Sequence, residues 1–222
     1  MILAAGRGER MRPLTDSLPA AAGGGGQAAH RAPYRKAQGC RVTDLVINHA
    51  WLGHKLVEAL GDGRQSGVDI QWSAEERAGD RRRHHSGVSA AGAEPFLVIN
   101  GDTWLDLDYR TLVTQPLGTD LAHLWLVPNP PQHPAGDFAL QAGKVVDTQA
   151  LTFSGVGLYD PAAFAGLPPG RASWRRCCGS GWHKAGWAAA CWPASGATSA
   201  RWRGCRRWTI SCKDALINFT RS

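Results

Sequence analysis

No apolar run in the chain approaches the roughly 20 residues that a helix needs to cross a bilayer, so a membrane span is not expected. No basic, apolar leader precedes the first structured motif, which makes the cytoplasm the default location. The chain also lacks any Cys-x-x-Cys pair. Of its six cysteines, Cys177, Cys178, Cys191, Cys205 and Cys212 lie after residue 170, and their gaps of 13, 14 and 7 residues fit no common zinc module, even with His183 nearby. Disulfides are no better an expectation for a cytosolic chain. At 222 residues the chain can bury one α/β core and is expected to be one soluble domain.

Acidic residues are almost missing from one region. Residues 171–222 hold ten Lys/Arg against a single acid, Asp214, a charge of +9, so the net +7 of the whole leaves −2 for residues 1–170. The basicity that would invite nucleic acid is therefore confined to the tail. The tail also holds six of the ten tryptophans (Trp174, Trp182, Trp187, Trp192, Trp202 and Trp208) with no helical or strand period to place them, and it is expected to be disordered. Arginines interleaved with tryptophans can bind single-stranded nucleic acid by stacking and phosphate contacts. Without a periodic scaffold, nucleic acid is not the expected partner. Two further stretches are aperiodic: 20–40, with Gly23-Gly-Gly-Gly26 at its centre, and 77–91, with Arg81-Arg-Arg-His-His85.

The segments between them read as α/β. Buried or alternating strands are expected over 42–48, 68–72, 95–102, 121–127, 138–140, 144–147 and 151–159, and helices over 52–60, ended by Gly61, and 109–114. In Pro95-Phe-Leu-Val-Ile-Asn-Gly-Asp102, a continuous apolar strand delivers Asn100 and Asp102 at its carboxyl end, where open α/β sheets hold their ligands. The expected fold is a doubly wound, mostly parallel sheet of Rossmann-like type, incomplete and followed by the disordered tail.

The chemistry is concentrated at the start, in Met1-Ile-Leu-Ala-Ala-Gly-Arg-Gly-Glu-Arg-Met-Arg-Pro-Leu-Thr15. An apolar strand runs into a glycine turn in which Gly6 and Gly8 can take positive φ and approach a ligand, while Arg7, Arg10 and Arg12 offer charge to a polyphosphate. The turn has neither the Gly-Lys-Ser/Thr of a Walker loop nor the third glycine of a dinucleotide fingerprint.

The full string resembles the signature of the sugar-1-phosphate nucleotidyltransferases, which join a nucleoside triphosphate to a sugar 1-phosphate and release pyrophosphate. Val46-Ile-Asn-His-Ala-Trp-Leu-Gly53, Asn100-Gly-Asp102, Gly136-Asp-Phe138 and Thr152-Phe-Ser-Gly155, in that order, are similar to the cell-wall-recycling branch that uridylylates N-acetylmuramate 1-phosphate. The thymidylyl and guanylyl branches share the loop and Asn-Gly-Asp less specifically. The resemblance implies a nucleotidyltransferase domain over 1–170. It assigns the nucleotide to Gly6, Gly8, Glu9, Arg10 and Asn100, with Arg10 as the catalytic cation. Asp102 would ligate Mg²⁺ as a hard oxygen donor, and Asp137, Ser154 and Gly155 would face the sugar phosphate. No feature of the sequence assigns an oligomeric state.

Three family elements are missing. Ala20 stands where the family has a phosphate-clamping lysine, Ala78-Gly-Asp-Arg-Arg-Arg83 where it has Leu-Glu-Thr-Gly-Gly-Gly, and nothing in 171–222 supplies a Trp-x-Asp-Val-Gly-Thr segment with its second metal-binding aspartate. All three gaps fall in the aperiodic stretches. Codons compatible with 20–40, read one base later, allow Pro-Leu-Val-Glu-Val-Gly-Lys-Pro-Leu-Ile-Val-His-His-Ile-Glu-Lys-Leu-Arg-Ala. The same offset over 77–84 allows Glu-Leu-Glu-Thr-Gly-Gly-Gly-Ile, and an offset of two bases from residue 172 allows Trp-x-Asp-Val-Gly-Thr. A frameshifted enzyme is the expectation, impaired or inactive as written and poorly folded where helices that should cover the sheet are lost. The alternatives are a noncatalytic nucleotide-binding remnant and a nucleic-acid-binding protein acting through the tail.

Overall fold

The structure, a computed structural model, describes residues 1–9, 12–19, 42–74, 92–101 and 109–164, together with the backbone of 187–191, 207–212 and 215–220. In chain order the elements are β1 (Ile2–Ala4), α1 (Leu14–Ser17), β2 (Asp44–His49), α2 (Gly53–Leu60), β3 (Asp69–Ala74), β4 (Phe96–Asn100), α3 (Tyr109–Val113), β5 (Ala122–Val127), β6 (Phe138–Gln141), β7 (Lys144–Tyr159), β8 (Trp187–Cys191), β9 (Arg207–Cys212) and β10 (Ala215–Thr220).

One mixed sheet runs in the order β3-β2-β1-β4-β7-β5-β8, with β6 paired to β7. The β3-β2-β1-β4 half is parallel, as is β5 with β8, whereas β7 runs antiparallel to β4, β5 and β6. The apolar runs dictate where these strands lie. All six residues of β5 and four consecutive residues of β2 are buried, the pattern of strands covered on both faces. Alternate side chains go to opposite faces. Val98, Leu124 and Leu126 join Phe96, Phe138 and Tyr159 in one cluster, while Ile99, Trp125 and Val127 join Tyr109 and Leu112 of α3 in another. A third cluster seats Leu56 of α2 on Ile2, Leu45, Ile47 and Ile70.

Most of the expected elements are present, with one difference within residues 1–170. The separate strands expected over 144–147 and 151–159 are one strand, β7. The β6 register jumps from Phe138↔Leu151 to Ala139↔Val146, so the exposed residues 147–150 continue the strand as a bulge without a β6 partner and carry no alternating signal. In the tail expected to be disordered, the structure describes three strands: β8 on the edge of the sheet beside β5, and β9 with β10 as a separate antiparallel pair. Their ladders rest on backbone groups, which need no side-chain period. The expectations placed on 20–40 and 77–91 lie outside the described residues.

Two features set measurable stability terms. The β6–β7 hairpin turns through Ala142 and Gly143, both at positive φ (48° and 77°) as a type I′ turn demands, and alanine is strained there. Ala142→Gly is expected to raise the unfolding free energy by up to about 1 kcal/mol in urea titration. His123 is buried on β5 against Trp125, centroids 4.8 Å apart, and neither ring nitrogen has a partner among the described residues. Burial pushes its pKa down, partly opposed by the Asp120 carboxylate. The folded state therefore resists a proton that the unfolded chain accepts near the ordinary histidine pKa of about 6.5. The stabilising effect of a neutral His123 is complete above that pH and is lost as pH falls toward the depressed folded value. His123→Phe is expected to flatten the fall in urea midpoint between about pH 7.5 and 5.5 relative to wild type.

Candidate active site

Parallel strands place their carboxyl ends on one edge, and β7 carries that edge onward. Leu3 of β1 pairs with Asn48 of β2 and Asn100 of β4, so all three strands finish together. Because β7 is antiparallel to both β4 (Ile99↔Val156) and β5 (Val127↔Thr152), β4 and β5 point the same way. The loop after β1, Asn48 to Trp51, Asn100 with Gly101, the loop after β5 and residues 152–155 are thereby gathered on one edge. Ligands of open α/β sheets bind in such a place.

The glycine loop there is held by long-range hydrogen bonds. The buried Asn48 side chain accepts the Ala4 N–H through Oδ1 at 2.7 Å, and the Gly101 N–H donates to Leu3 O at 2.8 Å. Thr15, 1% exposed, donates its hydroxyl to Gly8 O at 2.9 Å. The Trp51 indole N–H in turn donates to Thr15 O at 2.8 Å, and Lys55 Nζ donates to Ser17 O at 2.7 Å. Gly8 is left-handed at φ 66°, as expected, but Gly6 is not among the positive-φ glycines; a Cβ built there would meet nothing within 4 Å. The freedom expected at Gly6 is instead open space beside the backbone.

Two of the three arginines expected to serve a polyphosphate are engaged elsewhere. The Arg7 guanidinium lies over the Trp51 ring at 4.6 Å, and Arg12 pairs with Asp16 at 2.9 Å. Arg10 and Asp102 lie outside the described residues. Among the described residues, no group of three His, Cys, Asp or Glu side chains converges as a metal site.

At the sugar end, the predicted residues Ser154 and Gly155 form a two-residue bulge of β7. The β5 register runs from Leu124↔Gly157 to Leu126↔Phe153, so four β7 steps are spanned by two of β5. Gly155 adopts φ 83°, which favours glycine, and buried Ser154 accepts the Val156 N–H through Oγ at 3.2 Å. A bulge of this kind re-aims backbone and side chains beside a binding site. Asp137 sits at the same edge: Oδ2 accepts the Phe153 N–H at 3.0 Å, and Oδ1 faces His133 Nε2 at 3.2 Å. Asn48, Thr15, Trp51 and His133 were not singled out from sequence. Thr15, Asn48 and Trp51 lie inside the strings that carry the family resemblance, without a role assigned to them there, whereas His133 carried no signal.

Sheet order, edge and glycine loop are those of an open α/β fold with a candidate phosphate site where its strands end. A family model described as Nucleotidyl transferase matches residues 1–135, and the chain belongs to that family. Over 187 residues it is 44% identical to the N-acetylmuramate alpha-1-phosphate uridylyltransferase of Neisseria meningitidis serogroup B, covering 77% of this chain and 78% of that one. Its class is that of the sugar-1-phosphate nucleotidyltransferases. The fold is shared with a Bacillus anthracis structure assigned as a glucose-1-phosphate thymidylyltransferase (TM-score 0.73, 20% identity, 92% of this chain and 88% of that one). It is shared too with the inositol-1-phosphate CTP transferase of T. maritima (TM-score 0.65, 14% identity, 91% and 86%).

Asn48→Ala leaves the Ala4 amide buried without its acceptor and is expected to lower the unfolding free energy by about 1–3 kcal/mol. Asn48→Asp, which retains an acceptor oxygen, is expected to lose less in the same urea titration.

Proposed function

We propose that the encoded enzyme transfers a uridylyl group from UTP to N-acetylmuramate 1-phosphate. The observation that carries this reading is the 44% identity to the meningococcal uridylyltransferase across three quarters of the chain, together with the glycine loop, Asn100 and the Ser154–Gly155 bulge meeting on one sheet edge. A sugar phosphate oxygen attacks the α-phosphorus of UTP in line, a new P–O bond forms, and the bond to the β-phosphate breaks with its electron pair leaving on pyrophosphate. Positioning and charge neutralisation do most of the work.

In this reading the amides of Gly6 to Glu9 cradle the triphosphate and Arg10 supplies the cation, since Arg7 and Arg12 already have partners. Asn100 orients the nucleotide, while the segment held by Asp137, Ser154 and Gly155 receives the sugar phosphate. A divalent magnesium ion suits the oxygen donor Asp102, two residues past the end of β4, and would neutralise phosphate charge there. A soluble, cytoplasmic setting accords with nucleotide substrates, and no described helix is long and apolar enough to cross a membrane.

The reading includes the frame disruption. Segments 20–40, 77–91 and 172–222 derive from shifted frames, which removes the clamping lysine at Ala20 and the second metal-binding aspartate. Removing one preorganised charge contact of this kind typically costs ~10²–10³ in rate. The test is pyrophosphate release with UTP, Mg²⁺ and N-acetylmuramate 1-phosphate by two proteins, the chain as written and one with the three frames restored. The restored protein is expected to turn over and the present chain to be slower by at least about 10²-fold. Equal rates would contradict the frame reading, and no release by the restored protein would contradict the assigned reaction.

A further inference from the structure

Both oxygens of Asp137 are occupied within the protein, and a neighbouring group at the same edge has a polar atom without a partner among the described residues. The loop after β5 is docked onto β7 by a set of hydrogen bonds. Asn129 Nδ2 donates to Pro134 O at 2.8 Å and Ala150 O at 2.9 Å, while Asn129 Oδ1 accepts from Thr152 Oγ1 at 2.9 Å. The Asp137 N–H donates to Leu151 O at 2.7 Å, and its Oδ2 accepts the Phe153 N–H at 3.0 Å. The remaining oxygen, Oδ1, is 3.2 Å from His133 Nε2. A carboxylate only accepts, so His133 Nε2 must carry the proton. In the neutral ring, Nδ1 is then a bare acceptor. That nitrogen makes no hydrogen bond among the described residues, and the His133 side chain is 41% exposed.

The anchored loop leads directly to the bulge. Phe153, whose amide Asp137 holds, immediately precedes Ser154 and Gly155. We infer that His133 is a specificity-determining residue that accepts, through Nδ1, a hydrogen bond from a hydroxyl or amide N–H of the sugar 1-phosphate, with Asp137 as the positioning residue that fixes its tautomer. This rests on the proposed sugar-1-phosphate nucleotidyltransferase reading. It explains why an acid on the sugar side has both oxygens turned inward: its task is to hold the loop and the imidazole.

The test is calorimetric binding, to the full-length protein with its three frames restored, of three probes: N-acetylmuramate 1-phosphate, glucose 1-phosphate and UTP. His133→Ala is expected to weaken the sugar phosphate bearing the recognised donor by about 3–10-fold, the range for one neutral hydrogen bond, with UTP affinity unchanged. Loss confined to the N-acetylated sugar identifies the amide N–H as donor, and equal loss for both sugars identifies a hydroxyl. His133→Asn, which keeps a short side chain with an acceptor oxygen, should recover part of the affinity. Asp137→Asn should shift the imidazole ¹⁵N resonances away from the single Nε2–H tautomer, a change that a purely structural role for the pair does not require. Unchanged sugar phosphate affinity in His133→Ala, with UTP still bound, would overturn the inference alone. A frame-restored protein that binds neither sugar phosphate nor UTP would overturn the functional reading and the inference with it.

Discussion

The arrangement depends on β7 running antiparallel between β4 and β5. A strand flanked on both sides by antiparallel partners forces those partners to be parallel to each other, so β4 and β5 both end on the edge where β1 and β2 end. Every described segment that the proposed site draws on leaves the sheet there. Reversing β7 would send the loop carrying His133 and Asp137 to the opposite edge from the glycine loop.

The same strand supplies the irregularities at the candidate site. Where β7 passes the end of β4 it departs from the ladder at Ser154 and Gly155, giving up regular pairing at the edge proposed for the sugar phosphate. On the far side of that point it is regular and buried, with Val156, Leu158 and Tyr159 packed in the two central clusters. Rigid core and accessible edge are therefore one continuous segment. Towards β1 and β2, Thr15 holds the glycine loop through the Gly8 carbonyl, Trp51 holds Thr15 in turn, and Asn48 takes the Ala4 N–H where β1 ends.

Much of this was legible in the sequence, for physical reasons. Strands β2, β4 and β5 announce themselves because burial on both faces demands unbroken apolar runs, and the loop after β1 because its glycines and arginines sit in one long string from Leu3 to Thr15, since a glycine turn after a strand would alone fit any α/β protein. The continuity of β7 was hidden because residues 147–150 are exposed and unpaired with β6. The β4-β7-β5 order and the partners of Asn48 and Trp51 are long-range pairings, in which two distant positions must be known together, whereas Thr15 and His133 meet Gly8 and Asp137 close by in sequence but in loops that have no period to announce the contact. Arg7 and Arg12 show the converse: their charge was legible, but their capture by Trp51 and Asp16 was not.

The central claim is that nucleotide and sugar phosphate meet at this single sheet edge, and mapping backbone amide shifts by NMR during titration of each ligand tests it most directly. The account predicts that UTP perturbs the amides of residues 6–9 and 100–101, and that the sugar 1-phosphate perturbs 133–137 and 153–156. The opposite edge, around 92–96 and 118–121, should stay silent. Perturbation concentrated at that opposite edge, or in the basic tail alone, would contradict it.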